Sequence, residues 1–141
     1  MADTPQPPDP PSARGQPQPP VRGRHILVVE DDLTLARLME ALLLSAGYQV
    51  RTAGDGESAL EAIRLEQPAL VLLDLTLPRI DGWQVLDRLR ATEQPPPVVL
   101  FTGNYAAEER ALRAGAAATI LKPFDVDDLL ETVNRLAGPP S

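Results

Sequence analysis

From His25 onward the chain alternates between two hydrophobic patterns. Short, nearly continuous apolar runs read as buried strands, and apolar residues at three- and four-residue spacing read as helices. "HILVV" (25–29) is a strand, followed by a helix in which Leu35, Leu38, Met39, Leu42 and Ala46 repeat on one face while Leu33 and Leu44 fall off it. "YQVRTA" (48–53) is a second strand, and "GDGESALEAIRLEQ" (54–67) a second helix that starts at a cap-like Asp55 and turns Ala59, Leu60 and Ile63 inward. "ALVLLDL" (69–75) is a third strand, interrupted only by Asp74. "DGWQVLDRLRAT" (81–92) is a third helix, with Trp83 packing at its start, and the prolines at 95–97 end it before "VVLFTG" (98–103), the fourth strand. "YAAEERALRAG" (105–115) reads as a helix, "AATILKP" (117–123) as a strand, and "DVDDLLETVNRLAG" (125–138) as a helix opened by Asp125 and closed by Gly138.

Five strand–helix pairs whose strands are too apolar to alternate predict an α/β domain: a doubly wound, five-stranded parallel sheet with helices on both faces. The expected strand order is the flavodoxin-like 2-1-3-4-5. Its switch point lies between strands one and three, where ligands bind beyond the carboxyl ends.

Composition adds a boundary. Residues 1–24 carry half of the 16 prolines and almost nothing apolar, which predicts a disordered, Pro-rich arm to which no function is assigned. The domain is placed at 25–138, with a three-residue tail at 139–141. The chain has no cysteine and only one histidine, His25, so any metal must sit on oxygen ligands. Its net charge of −7 argues against direct, sequence-independent binding to nucleic acid. The apolar runs are too short for membrane insertion and the N-terminus lacks a secretory signal, giving a cytoplasmic reading. Twelve of the 13 basic residues are arginine; Lys122 is the one lysine.

The polar residues fall where the fold rule wants them. Strand one ends in Glu30, Asp31 and Asp32, and strand three in Asp74. Strand four ends at Thr102 and Gly103, strand five at Lys122 and Pro123. Neighbouring carboxylates at buried strand ends repel and are costly to desolvate unless a cation is held there. Glu30, Asp31 and Asp74 against Lys122 leave a formal −2, which one divalent cation cancels; carboxylate and carbonyl oxygens with open positions suit Mg²⁺, which also binds phosphate oxygens. Asp74 is then placed as a carboxylate nucleophile toward phosphorus, with Thr102 and Lys122 binding the transferred oxygens. Asp32 is assigned to the first helix, as an acid favoured at its positive end.

The stretches "ILVVEDD", "VLLDLTLPRIDG", "VLFTG" and "ATILKPF" resemble, in order, the four signatures of the receiver domain of two-component response regulators. The resemblance implies an aspartate, Asp74, that accepts a phosphoryl group from the phosphohistidine of a sensor histidine kinase or phosphotransfer domain with Mg²⁺ bound, then loses it slowly to water. It implies Asp31 as a direct metal ligand, Glu30 as a ligand through water, and the Thr76 carbonyl as a further ligand. Thr102 and Lys122 would bind the phosphoryl oxygens, Gly103 would keep the entrance open, and the Lys122–Pro123 peptide would be cis. Such a domain is a switch rather than an enzyme. With the chain ending soon after Gly138, the expectation is a stand-alone receiver whose output is a downstream effector, a homodimer or onward transfer, through the fourth helix, fifth strand and fifth helix. Leu33, beside the acids, is a candidate for the kinase-docking surface.

Two features depart from the family pattern. Glu30 replaces a more frequent Asp, and Thr119 stands where many relatives carry Tyr or Phe, so the usual aromatic switch is absent. Thr76 and Asn104 hold positions that in the family tune hydrolysis. The alternatives are a degenerate receiver used as a scaffold, and an aspartyl-phosphate phosphatase of haloacid-dehalogenase type. The second wants an acid two residues after the nucleophile, where this chain has Thr76.

Overall fold

The computed structural model describes residues 21–140. Its sheet contains β1 (Ile26–Val29), β2 (Val50–Ala53), β3 (Leu70–Asp74), β4 (Val98–Thr102) and β5 (Ala118–Leu121), paired in parallel in the order β2-β1-β3-β4-β5. This is the predicted 2-1-3-4-5 arrangement. The central strands β1, β3 and β4 are buried along their whole lengths, which is why their sequences show no alternation. The edge strands are partly exposed, and β2 accordingly carries Arg51 and Thr52.

Among the described residues five helices cover the sheet: α1 (Leu33–Ser45), α2 (Gly56–Leu65), α3 (Gly82–Arg90), α4 (Ala107–Arg113) and α5 (Val126–Ala137). Alternate strand residues face opposite sides and build two cores. Leu27, Val29, Val71, Leu73, Val98 and Leu100 pack with Ala59 and Ile63 of α2, Val85, Leu86 and Leu89 of α3, and Ala107 and Ala111 of α4. On the other face Ile26, Val28, Leu70, Leu72, Val99 and Phe101 pack with Met39 and Leu43 of α1 and Leu129 and Val133 of α5. Each fully buried Leu or Val contributes roughly 1.5–3 kcal/mol, so these two layers supply most of the drive to fold.

The caps explain where helices begin. Asp32 accepts from Thr34 N and Leu35 N, Asp55 from Ser58 N, and Asp125 from Asp127 N. Asp81 and Gln84 form a reciprocal capping box on α3. Only α4, entered through Ala106, has no side-chain cap among these helices. At the far end of α5, Gly138 closes the helix with φ +82°, and Tyr48 Oη donates to its carbonyl at 2.9 Å.

Three expectations need correction. The face of α1 is rotated: Leu38 is 51% exposed, while Ala36 and Leu43 are buried with Met39, because the half-buried Leu35, Leu42 and Ala46 sit on the flank of a stripe centred on Met39 and Leu43. Leu33 and Leu44 are exposed, as predicted. The second helix stops at Leu65; Glu66–Gln67 instead pair in parallel with Val21–Arg22, so the last residues of the predicted disordered arm form a two-residue ladder. The rest of that arm, residues 1–20, and residue 141 of the tail lie outside the described residues.

Candidate functional site

The site lies at the carboxyl edge of β1, β3, β4 and β5, around the switch point. Glu30 follows β1, and its backbone N–H donates to Ala53 O at 3.0 Å, which seats it against β2. Asp74 is the last residue of β3. Both acids are buried, at 5% exposure each, whereas Asp31 faces solvent. One carboxylate oxygen from each of Glu30, Asp31 and Asp74 lies within 4.8 Å of the others.

Lys122 closes the cluster from the opposite side. Its backbone N–H donates to Thr102 O at 2.8 Å, and the Lys122–Pro123 peptide is cis. The ammonium Nζ sits 3.0 Å from Asp74 Oδ2 and 3.3 Å from Glu30 Oε1, so one lysine bridges two buried acids. The second oxygen of Asp74, Oδ1, accepts from Thr76 N at 3.0 Å, and Glu30 Oε2 accepts from Asp32 N at 3.3 Å. Thr102 is buried, and its hydroxyl accepts from Asn104 N at 3.0 Å. Gly103 is exposed, and a Cβ built on it would meet nothing within 4 Å, leaving the approach from this side open.

Glycine is required at one point of the frame. A Cβ on Gly82 would come within 2.6 Å of Leu75 Cα and 2.7 Å of Asp74 O, so α3 can pack this close to the Asp74 turn only without a side chain there. Arg79, in the same β3–α3 connection, adopts φ +62°, uncommon for a residue with a Cβ.

The electrostatics follow from burial and crowding. Glu30 is pushed up to about 7, first by burial and then by the hydrogen bond and charge of Asp74, against smaller pulls from the Asp32 N–H and Lys122. At Lys122, burial disfavours the charge, but the bonds and charges of Asp74 and Glu30 outweigh it and raise its pKa. One ammonium therefore does not neutralise the cluster. A set of three carboxylates with a surplus of negative charge fits a hard divalent cation, and Glu30, Asp31 and Asp74 are the residues that could hold one.

The structure brings together Glu30, Asp31, Asp74 and Lys122, with Thr102, Gly103 and Thr76 on the strand ends and loops around them. Asp32 points elsewhere, serving as the α1 cap. What sequence reading did not find is how the loops tie in: the Asn104 N–H on the Thr102 hydroxyl and the Thr76 N–H on Asp74 are backbone donors with no residue-type signature.

A family model for the response regulator receiver domain matches residues 26–134. The chain belongs to this family. Response regulator MprA of Mycolicibacterium vanbaalenii is 38% identical over 119 residues, covering 83% of this chain and 50% of that protein. The probable transcriptional regulatory protein TcrX of Mycobacterium tuberculosis is 38% identical over 113 residues, 79% of this chain and 48% of its own length. The chain thus spans about half the length of the curated relatives it matches. Among solved structures, the receiver domain of NtrX from Brucella abortus aligns with a TM-score of 0.75 at 38% identity, over 79% of this chain and 97% of that one. The Francisella response regulator 1452 receiver domain aligns at 0.77 and 27% identity, over 80% of this chain and 95% of that one. Receiver domains of response regulators are signalling domains of two-component systems, and no described helix is long and apolar enough to cross a membrane.

Proposed function

We propose that this receiver is switched by phosphorylation of Asp74. A carboxylate oxygen of Asp74 attacks the phosphorus of a phosphohistidine on a sensor kinase or phosphotransfer domain. The P–O bond forms as the P–N bond breaks, and the electron pair of the broken bond stays on the imidazole. Glu30, Asp31, Asp74 and the Thr76 carbonyl would hold Mg²⁺, which when bound neutralises charge on the phosphoryl oxygens. Lys122 loses one partner as Asp74 becomes an acyl phosphate and turns its ammonium to a phosphoryl oxygen; the Thr102 hydroxyl donates to another. Gly103 leaves the donor a path, and water later hydrolyses the acyl phosphate. The modified domain then signals from the cytoplasm by engaging a downstream effector or a second copy of itself, so it works as a switch rather than as a turnover enzyme.

The observation that carries this reading is Lys122 Nζ at 3.0 Å from Asp74 and 3.3 Å from Glu30 inside a buried acidic cluster. Such a lysine holds the nucleophile oriented and is poised for the incoming phosphate. Incubation with acetyl phosphate and MgCl₂, followed by intact mass measurement, tests it. Wild type is expected to gain one base-labile phosphoryl group and Asp74→Asn none; equal labelling of both would overturn the assignment.

A further inference from the structure

α4 is the helix least committed to the core. It has seven residues, no side-chain cap, and buries only Ala107 and Ala111, two side chains with a single methyl each. Its position is set at its flanks. The Arg110 guanidinium lies 4.0 Å from the centroid of the Trp83 ring at the start of α3, within the range of a cation–π contact. The Arg90 side chain, at the end of α3, lies against Gly115 just after α4, where φ is +98° and a Cβ would come within 2.4 Å of Arg90 Nε. Toward β5 a thinner tie runs from the Thr119 hydroxyl to Glu108 Oε1 at 3.3 Å, beside an open groove of about 420 Å³ that both residues line.

The same helix is wired to the candidate phosphorylation site. The Thr102 hydroxyl accepts from Asn104 N at 3.0 Å, Asn104 Oδ1 accepts from Ala106 N at 2.9 Å, and Asn104 O accepts from Ala107 N at 3.0 Å. A Thr102 side chain that rotates toward a phosphoryl group releases the Asn104 N–H and, with it, the anchored entrance to α4. Trp83 is half-buried and packed on the core, so its ring stays put while Arg110 travels with α4.

We propose that the Arg110–Trp83 stack is a latch that holds α4 against α3 in the unphosphorylated chain and opens when Thr102 turns to the modified Asp74. It rests on the phosphorylation reading above. The latch gives this chain a lever between site and surface although position 119 lacks an aromatic ring. Removing a contact that favours only the resting state shifts the equilibrium toward the switched one, by about two- to fivefold for an exposed cation–π pair.

Trp83 is the sole tryptophan, so its emission reads the latch directly. The full chain, Arg110→Ala and Arg110→Lys are treated with acetyl phosphate and MgCl₂, with emission and intact mass followed together. Wild-type emission is expected to shift in step with the mass adduct. Arg110→Ala should begin near the phosphorylated spectrum and be modified about two- to fivefold faster, while Arg110→Lys, which keeps a cation over the ring, should stay close to wild type. An adduct on wild type with unmoved Trp83 emission, or wild-type labelling kinetics in Arg110→Ala, overturns the latch while leaving the receiver reading intact. No adduct on any of the three removes both.

Discussion

Mg²⁺ binding at the proposed site becomes pH-dependent near neutrality because of the raised pKa of Glu30. With Glu30 at about 7 in the metal-free chain, roughly a tenth of it is ionised at about pH 6 and nine-tenths at about pH 8. A hard cation requires the ionised carboxylate, so the apparent Mg²⁺ affinity should rise about tenfold across that interval, with close to one proton released per ion bound at the acid end. The sign follows from the cause: burial and Asp74 disfavour the charge, so the folded, metal-free state holds a proton that the unfolded state, near 4.5, has lost. Over that window metal-free stability should fall as pH rises, and saturating Mg²⁺ should abolish the fall. Isothermal titration with MgCl₂ in buffers of different ionisation enthalpy measures affinity and proton count together. Glu30→Gln should flatten the pH dependence. An affinity constant from about pH 6 to about pH 8 in wild type, or an unchanged slope in Glu30→Gln, would show that Glu30 does not govern metal binding.

Three other outcomes follow from the same geometry. Lys122→Met removes the ammonium that bridges Asp74 and Glu30 and should slow labelling by acetyl phosphate roughly a hundredfold, with Mg²⁺ binding retained in the titration. Gly82→Ala gains up to about 1 kcal/mol of helix propensity but drives a methyl into Leu75 Cα and Asp74 O, backbone that cannot swing aside; urea unfolding should show a net loss of about 1–3 kcal/mol. Asp81→Ala breaks the capping box on α3 and should cost about 1 kcal/mol in the same assay, without changing the Mg²⁺ affinity.

Much of this was legible in the sequence because the signals are strong where burial is complete. Four-residue runs such as Ile26–Val29 have no polar face to show, and that absence itself marks a central parallel strand. Asp55 and Asp125 announce helix starts because a short carboxylate satisfies free N–H groups, a part that Asp32 and Asp81 also play in the structure. The grouping of Glu30, Asp74 and Lys122 followed from strand order alone, since parallel strands deliver their carboxyl ends to one edge. The phase of α1 was harder to read: leucines occur on most of its faces, and the choice between Leu38 and Leu43 is made by what β1 and α5 leave room for. The start of α4 at Ala107 carried no signal, for want of a capping side chain. Nor did the Val21–Arg22 ladder, because two residues show no period. The Arg110–Trp83 stack joins residues 27 positions apart and is visible only once α3 and α4 lie side by side.

Asp74 is proposed as the acceptor of the phosphoryl group. Borohydride reduction of the acetyl phosphate-treated chain converts an acyl phosphate to an alcohol, and peptide mass mapping then locates it. Homoserine is expected at position 74 and at no other carboxylate; reduction at Glu30 or Asp31, or an unreduced Asp74 in a labelled chain, would show that Asp74 is not the acceptor.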